Sequence, residues 1–330
     1  MTARVLVTRP LPAGGTDPLT DPAGPGPPCE VIQRPQDEAL DRAALGAALA
    51  DGYDGVVCLL TERFDAEVLA AARGRLRVVA NVAVGFDNID VEAATAAGVV
   101  VCNTPDVLDE TTADLAFALI LAAARRTSEA EAVLRSGRWT GFHIDEFLGR
   151  DVHRATLGLV GYGRIGRAVA RRAAGFAMEV VHHTRTPTGE PGWTGDLHDL
   201  LARADIVSLH VPLTPATFHL IGRPELAAMK PTAVLVNTAR GPVVDEEALA
   251  EALERGEIAA AGIDVFEAEP AVHPRLLAAP GAVLLPHIGS ATVATRTAMA
   301  RLACASARSV LAGDIPPTAL NPEAASRPSR

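Results

Sequence analysis

The most informative part of the sequence is the stretch Leu157-Gly-Leu-Val-Gly-Tyr-Gly-Arg-Ile-Gly166. Its apolar first half predicts a buried strand, and residues 164–174 are typical of a helix. Between strand and helix, Gly161, Gly163 and Gly166 have the spacing of the dinucleotide-binding fingerprint. We expect the first glycine to make the tight turn, the second to admit a pyrophosphate, and the third to let the helix pack on the strand. The same spacing also occurs in turns that bind nothing, but the flanking strand and helix favour a bound dinucleotide, with phosphates at the helix N-terminus.

Length, composition and charge limit the class of protein. A chain of 330 residues is long for a single core and predicts two domains. The 48% of hydrophobic and 21% of charged residues are typical of a soluble globular protein. The net charge is −10, and basic residues do not gather along one helix, which argues against nucleic acid as a partner. Phosphorylated small-molecule ligands remain possible, because they need only local positive charge.

Cysteine usage and hydropathy indicate a cytoplasmic protein. The four cysteines are scattered and include no C-x-x-C pair, so we expect reduced, packed thiols. The N-terminus runs directly into an apparent strand without a signal sequence. The most apolar stretch, residues 115–124, is too short to span a bilayer, so we expect no membrane association.

Strand-like and helix-like segments alternate along the chain, which predicts an α/β class with doubly wound parallel sheets. The first strand-like set is 5–8, 31–32, 55–60, 77–82 and 99–102, with helices at 40–49, 65–73 and 91–97. The set after the fingerprint is 179–183, 206–210, 233–237, 260–264 and 283–285, with its clearest helix at 245–255. Residues 11–28 are too rich in Gly and Pro for a regular helix. The tail from Pro316 is expected to fray.

Two long helical segments, 114–134 and 290–311, connect the two sets. We predict a discontinuous flavodoxin-like substrate domain, residues 1–103 with 291–330, and a Rossmann nucleotide domain, residues 104–290. Two such domains form a cleft, and ligands of open α/β sheets bind beyond the carboxyl ends of the strands. The loops that follow strands are therefore the candidates for function.

Three side chains in such loops form a possible catalytic set. Arg240 can be a surface residue at a turn, or a planar fork that grips a substrate carboxylate. His287 can be structural, or can give a proton to a carbonyl oxygen as hydride reaches the carbon. Glu269 can cap a turn, or can orient the imidazole and favour its charged form. Together with a nicotinamide, the three suffice to reduce a 2-oxo acid.

The end of the strand 179–183 bears on the choice of cofactor. NAD enzymes place Asp or Glu about 20 residues past the glycines, where it binds the ribose 2′-hydroxyl. Here Thr184 occupies that place, and Arg185 and Thr186 follow. A hydroxyl and a guanidinium favour the binding of a 2′-phosphate, so we predict that NADPH is preferred. If Arg185 is merely solvated, NAD also serves.

The adjacent histidines His182 and His183 could suggest a metal site. Neighbouring side chains of a strand point to opposite faces, so we predict no metal site.

Several motifs in this order resemble the D-2-hydroxyacid dehydrogenase family, and most closely its glyoxylate reductase/hydroxypyruvate reductase branch. The resemblance covers nearly the whole chain from about Arg77. Besides the glycine turn, it rests on Val84-Gly-Phe-Asp-Asn-Ile-Asp90, Thr111-Thr-Ala-Asp114, Val211-Pro-Leu-Thr214, Val236-Asn-Thr-Ala-Arg-Gly241 and Leu285-Pro-His-Ile-Gly-Ser-Ala-Thr292.

The resemblance implies a role for each of several residues. Arg240 would bind the carboxylate and polarise the carbonyl, His287 would donate the proton, and Glu269 would be its partner. The N–H groups around Val84 and Gly85 would hold the substrate carboxylate, with Ser290 nearby. The cofactor residues would be Thr112, Gly161, Gly163, Arg164, Ile165, Gly166, Thr184, Arg185, Thr186, Pro212, Thr238, Ala239, Asp264 and Gly289, with Asp264 on the nicotinamide amide. The resemblance also implies a homodimer.

The sequence departs from the family pattern at residues 11–28, at Thr184, and at Phe142, where this branch can have a tryptophan that reaches the neighbouring subunit.

Alternative activities within the family are those of phosphoglycerate, 2-ketogluconate and phosphite dehydrogenases. Ala83-Val84 stands where phosphite enzymes have a lysine, which disfavours phosphite. An alternative of another class is a nucleotide-sensing corepressor that binds partner peptides.

Overall fold

The computed structural model describes residues 2–326 and contains two compact units. The first unit consists of the described residues up to Leu108 and from Ala291 onward, and the second spans Asp109–Ser290. The second unit is therefore inserted into the first. Residues 104–108, which the sequence places with the nucleotide-binding domain, belong to the first unit.

The first unit contains a five-stranded parallel sheet. Its strands are β1 (Arg4–Val7), β2 (Glu30–Gln33), β3 (Gly55–Cys58), β4 (Val78–Asn81) and β5 (Val100–Cys102). The order β2-β1-β3-β4-β5 is that of flavodoxin-like sheets. Every residue of β3, β4 and β5 is buried, as expected for continuous apolar strands covered on both faces.

Four helices follow these strands: α1 (Asp17–Thr20), α2 (Arg42–Ala50), α3 (Ala66–Ala71) and α4 (Val91–Ala96). The last three begin after an aspartate whose carboxylate accepts hydrogen bonds from first-turn N–H groups, which is the cap predicted for Asp65. The prediction that residues 11–28 hold no helix is wrong for α1. Pro18 at its start suits a first helical turn, and Leu19 is fully buried.

The second unit contains a seven-stranded parallel sheet. Its strands are β6 (Thr156–Val160), β7 (Glu179–His183), β8 (Trp193–Thr194), β9 (Ile206–Leu209), β10 (Val234–Asn237), β11 (Ala260–Ile263) and β12 (Ala282–Leu284). Its helices are α5 (Asp109–Ala124), α6 (Thr127–Arg135), α7 (Arg164–Ala174), α8 (Leu197–Arg203), α9 (Arg223–Ala228), α10 (Glu246–Arg255) and α11 (Pro274–Ala278). The order β12-β11-β10-β9-β6-β7-β8 reverses at β6, as in Rossmann sheets, so the predicted fold class is confirmed.

The predicted single helix over 114–134 is wrong. The chain forms α5 and α6 instead, because Arg126 adopts a left-handed conformation with φ of 54°. Residues 149–150 lie next to the point where the helix is interrupted. There the Arg150 N–H donates a hydrogen bond to the Ala124 carbonyl. The helix also begins at Asp109, so that Thr112 lies inside it rather than before it.

The longest helix, α12 (Val293–Ala312), belongs to the first unit, and the chain that follows it is ordered up to Ser326. The prediction that the tail frays from Pro316 is wrong for these residues. The Asn321 carboxamide accepts from the Val101 N–H at 2.7 Å and donates to the Val99 carbonyl at 2.9 Å, which fixes the tail to β5. Residues 327–330 lie outside the described part.

Two further expectations concern the whole chain. All four cysteines are buried and none forms a disulfide. Among residues 2–326 there is no helix with the length and apolar character needed to cross a bilayer.

Candidate active site

The glycine turn after β6 has the local geometry that the fingerprint predicts. Gly161 has φ of 94°, and a Cβ there would lie 2.5 Å from the carbonyl oxygen of His210, which follows the neighbouring strand β9. A Cβ on Gly166 would lie 2.4 Å from the Gly161 carbonyl oxygen. A Cβ on Gly163 would instead have no heavy atom within 4 Å. The turn is thus closed at Gly161 and Gly166 and open at Gly163.

Helix α7 begins immediately after this turn. Its N-cap is Gly163, which offers no side chain, and no acidic residue stands in its first turn. The orphan N–H groups and the positive dipole end of the helix therefore suit an anion.

The loop after β7 has a definite shape. The Thr184 hydroxyl donates to the Thr186 carbonyl at 2.7 Å and accepts from the Trp193 indole N–H at 3.1 Å. The hydroxyl proton of Thr184 is therefore used within the loop. Arg185 is exposed and forms no ion pair within the described residues. Sequence reasoning missed Trp193, because the two-residue strand β8 that carries it has no periodicity to detect.

His182 and His183 have separate partners. The buried His182 ring stacks on Tyr162, with centroids 3.8 Å apart, and its Nε2 lies 2.7 Å from the Thr188 hydroxyl. His183 Nδ1 lies 3.0 Å from the Thr194 carbonyl. No group of three or more His, Cys, Asp or Glu side chains suited to a metal ion occurs between residues 2 and 326.

The loop after β10 presents Arg240. Asn237, buried at the end of the strand, accepts from the Ala239 N–H at 3.0 Å and donates to the Arg240 carbonyl at 2.9 Å. These two bonds fix the backbone at Ala239 and Arg240. Beside it, the Thr238 hydroxyl is buried and has no hydrogen-bond partner in the described structure, so it is available to a cofactor.

The loop after β12 is built around Asp264, which follows β11 and is 1% exposed. Its carboxylate accepts from the N–H groups of Ile288 and Gly289, both at 2.8 Å, and its carbonyl accepts from the His287 N–H at 2.8 Å. His287 itself has φ of 54°, a conformation that costs roughly 1–2 kcal/mol outside glycine. Three bonds to one aspartate thus hold His287 in a strained conformation.

Burial raises the pKa of Asp264 to about 6, although the two backbone N–H donors and the nearby His287 oppose this shift. The residue therefore titrates near neutral pH. Gly289 and Thr112 lie close by, since a Cβ on Gly289 would be 3.4 Å from Asp264 Oδ2 and 3.6 Å from Thr112 Cγ2. Three of the predicted cofactor residues are therefore neighbours.

The predicted pair of His287 and Glu269 is formed. His287 Nδ1 lies 2.8 Å from Glu269 Oε2, and Glu269 Oε1 accepts from the Phe266 N–H at 2.9 Å. Burial raises the pKa of Glu269, but the hydrogen bond with His287 and the charges of His287 and Arg240 outweigh it, so the pKa lies below its ordinary value. A carboxylate in this state only accepts, so Nδ1 carries a proton and Nε2 is left for a second partner.

The loop after β4, in the first unit, contains the predicted Val84 and Gly85. The Val84 carbonyl accepts from the Asn103 carboxamide at 2.8 Å, and the Gly85 carbonyl accepts from the Asn81 carboxamide at 3.0 Å. Within residues 2–326, the N–H groups of Val84 and Gly85 have no hydrogen-bond acceptor. The carbonyls of Val84 and Gly85 thus fix the loop, while their two N–H groups can donate to an anion.

Two other predicted residues have less specific surroundings. Pro212 follows β9, and its carbonyl accepts from the Thr217 hydroxyl at 2.6 Å. Ser290 lies in the turn three residues after His287 and is half-buried.

Comparison with known proteins identifies the family. Residues 117–289 match the model of the NAD-binding domain of D-isomer specific 2-hydroxyacid dehydrogenases. The chain is 46% identical over 332 aligned positions to a glyoxylate reductase of Thermococcus gammatolerans, covering 98% of this chain and 97% of that one. It is 44% identical over 332 positions to the glyoxylate reductase of Pyrococcus furiosus, covering 98% and 96%.

The fold comparison agrees. A structure of an NADPH-dependent glyoxylate/hydroxypyruvate reductase from Sinorhizobium meliloti, in complex with NADP and malonate, has a TM-score of 0.85 at 35% identity and covers 98% of both chains. A glyoxylate reductase structure from Paecilomyes thermophila has a TM-score of 0.83 at 35% identity, covering 97% of this chain and 98% of that one. The chain therefore belongs to the D-isomer specific 2-hydroxyacid dehydrogenase family and is a nicotinamide-dependent dehydrogenase.

Proposed function

We propose that the protein reduces small 2-oxo acids, glyoxylate and hydroxypyruvate first, to 2-hydroxy acids with a reduced nicotinamide cofactor. The observation that carries the proposal is the His287–Glu269 pair, 2.8 Å between Nδ1 and Oε2, in the unit that also holds the glycine turn. The names of the relatives support the substrate class.

The cofactor, when bound, supplies the hydride, and the residues of this chain do the rest. Glu269 keeps the Nδ1 proton of His287 in place and favours the charged imidazole, so Nε2 can give its proton to the carbonyl oxygen. Arg240 contributes a fixed positive charge and a planar fork for the substrate carboxylate. In the first unit, we propose that the N–H groups of Val84 and Gly85 serve to bind a carboxylate.

The proposed cofactor is NADPH in preference to NADH. Arg185 and Thr186 are exposed at the end of β7, and residues 184–189 include no Asp or Glu that would repel a 2′-phosphate. Glu190, the nearest acid along the loop, forms an ion pair with Arg167, which offsets its charge. Thr184 shapes this loop through its bonds to Thr186 and Trp193.

A panel of 2-oxo acids, assayed with NADPH and with NADH, tests substrate and cofactor together. We expect the highest kcat/KM for glyoxylate or hydroxypyruvate, and a lower value with NADH. In Arg185→Ser we expect NADPH to lose about tenfold in kcat/KM, and NADH to be unchanged. A higher kcat/KM for the oxidation of 3-phosphoglycerate or the reduction of 2-ketogluconate than for glyoxylate and hydroxypyruvate would contradict the proposed substrate class. A clear preference for NADH would contradict the proposed cofactor.

We also propose that the partner is a second copy of this chain, bound through residues 134–148. Five large apolar side chains in this segment are more than half exposed: Leu134, Trp139, Phe142, Ile144 and Leu148. Helix α6 buries none of its residues. Large apolar side chains exposed together within a short segment are typical of a protein–protein interface. The cytoplasmic location expected from the sequence stays a prediction.

A further inference from the structure

The segment 267–273, which carries Glu269, is anchored at both ends by one side chain. Glu246 is the first residue of α10 and is 6% exposed. Its Oε1 accepts from the Glu267 N–H at 2.5 Å, and its Oε2 accepts from the His273 N–H at 3.2 Å. The Glu267 carboxylate returns the contact by accepting from the Glu246 N–H at 2.8 Å.

The same segment also meets the loop of Arg240 without any intervening side chain. A Cβ on Gly241 would lie 1.9 Å from the carbonyl carbon of Phe266 and 2.4 Å from the Glu267 nitrogen. Only glycine permits this contact of two backbones. A shift of the 267–273 segment would therefore disturb both Glu269 and the loop that carries Arg240.

We propose that Glu246 is a positioning residue for the reaction: by holding Glu267 and His273, it fixes Glu269 beside His287. Its two carboxylate oxygens face two N–H donors, a task for which glutamine is unsuited. The glutamine amide has one acceptor oxygen, and its NH₂ group would face the second N–H. This inference rests on the proposed function, because it assigns to Glu246 an effect on the proton donor.

The test uses Glu246→Gln in the full-length enzyme, with Glu247→Gln as the matched control. Glu247 is the next residue of the same helix, but it is exposed, and its one ion pair among residues 2–326 is with Arg275, at 3.9 Å. We expect Glu246→Gln to lower kcat for glyoxylate about tenfold, with KM and the Kd of NADPH within twofold of wild type. Glu247→Gln should match wild type.

A double-mutant cycle separates positioning from a merely structural role. If Glu246 acts through Glu269, then Glu246→Gln should cost less than twofold in a Glu269→Gln background. An equal cost in both backgrounds, or wild-type kcat in Glu246→Gln, would overturn the proposal.

A second variant covers the case in which Glu246→Gln does not fold. His273 has φ of −57° and ψ of 126°, which proline also adopts, so His273→Pro removes one anchored N–H while leaving α10 unaltered. His273→Pro should lower kcat about threefold, again only when Glu269 is present. If kcat does not fall, the proposal for Glu246 is overturned.

His287→Ala, assayed alongside, separates a failure of this proposal from a failure of the proposed function. If His287→Ala keeps its turnover, the proposed function itself is wrong.

Discussion

Among single residues, Glu269 can orient His287 only with an ionised carboxylate. Burial opposes the shift, but the hydrogen bond with His287 and the charges of His287 and Arg240 hold its pKa below the ordinary value, so the carboxylate is charged at neutral pH and accepts a hydrogen bond from Nδ1 of His287. Glu269→Gln removes this charge, and the protonated imidazole becomes less favourable. We expect kcat/KM to fall about a hundredfold.

The Kd of NADPH gives a second readout of the same substitution. Glu269 contacts His287 and the Phe266 N–H, so the Kd of NADPH for Glu269→Gln should stay within twofold of wild type. A kcat/KM close to wild type would show that Glu269 does not support His287 in the reaction.

Asp264 gives a prediction for cofactor binding. With a pKa of about 6, its carboxyl group becomes protonated as the pH falls below neutral, and it loses the charge that would hold the nicotinamide amide. Between pH 7.5 and 5.5 the Kd of NADH should rise about fourfold. NADH is the ligand of choice because the 2′-phosphate of NADPH itself titrates near pH 6. Asp264→Asn should bind NADH with the same Kd at both pH values; a wild-type Kd that is flat with pH contradicts the assignment.

At the scale of elements, Arg308 of α12 explains how residues 11–28 stay ordered. The side chain is 1% exposed, and its guanidinium donates to the carbonyls of Pro18, Asp21, Pro25 and Gly26. Arg308→Met fills similar space but leaves these carbonyls without a donor, and should destabilise the fold by about 3 kcal/mol.

Urea unfolding and limited proteolysis within 11–28 measure the effect of Arg308→Met. The control is Arg301→Met on the same helix, where a half-exposed guanidinium contacts Asp17 and the Gly14 carbonyl. An exposed ion pair contributes less than about 1 kcal/mol, so the control should stay near wild type. Equal stabilities of the two variants would refute this role for Arg308.

The elements that the sequence predicts correctly are those with local causes. The turn at Gly161 needs a positive φ, and the Asp65 cap needs one carboxylate near its own helix. The incorrect predictions concern segments that are held by residues far away in the sequence. Asn321 fixes the tail to Val101, and Arg308 orders a segment almost 300 residues earlier in the chain. Glu246 escaped notice for the same reason, since an acidic residue at a helix start is ordinary in sequence.

At the scale of the whole molecule, the prediction concerns assembly. If residues 134–148 bind a second copy, then Phe142→Asp with Ile144→Asp should shift the mass in solution from dimer to monomer, because burying two carboxylates without partners is unfavourable. Light scattering after size exclusion measures this. Phe218→Asp, an exposed aromatic residue elsewhere in the same unit, is the control. A wild-type chain that is already monomeric would contradict the proposal.

His287 is the proposed proton donor, and this role is tested by the turnover of His287→Ala with glyoxylate and NADPH, measured together with the Kd of NADPH for the same sample. General acid catalysis contributes about 10²–10⁴ in rate, so kcat should fall by that factor, and the Kd should stay within twofold of wild type. A kcat close to wild type would show that His287 is not the proton donor.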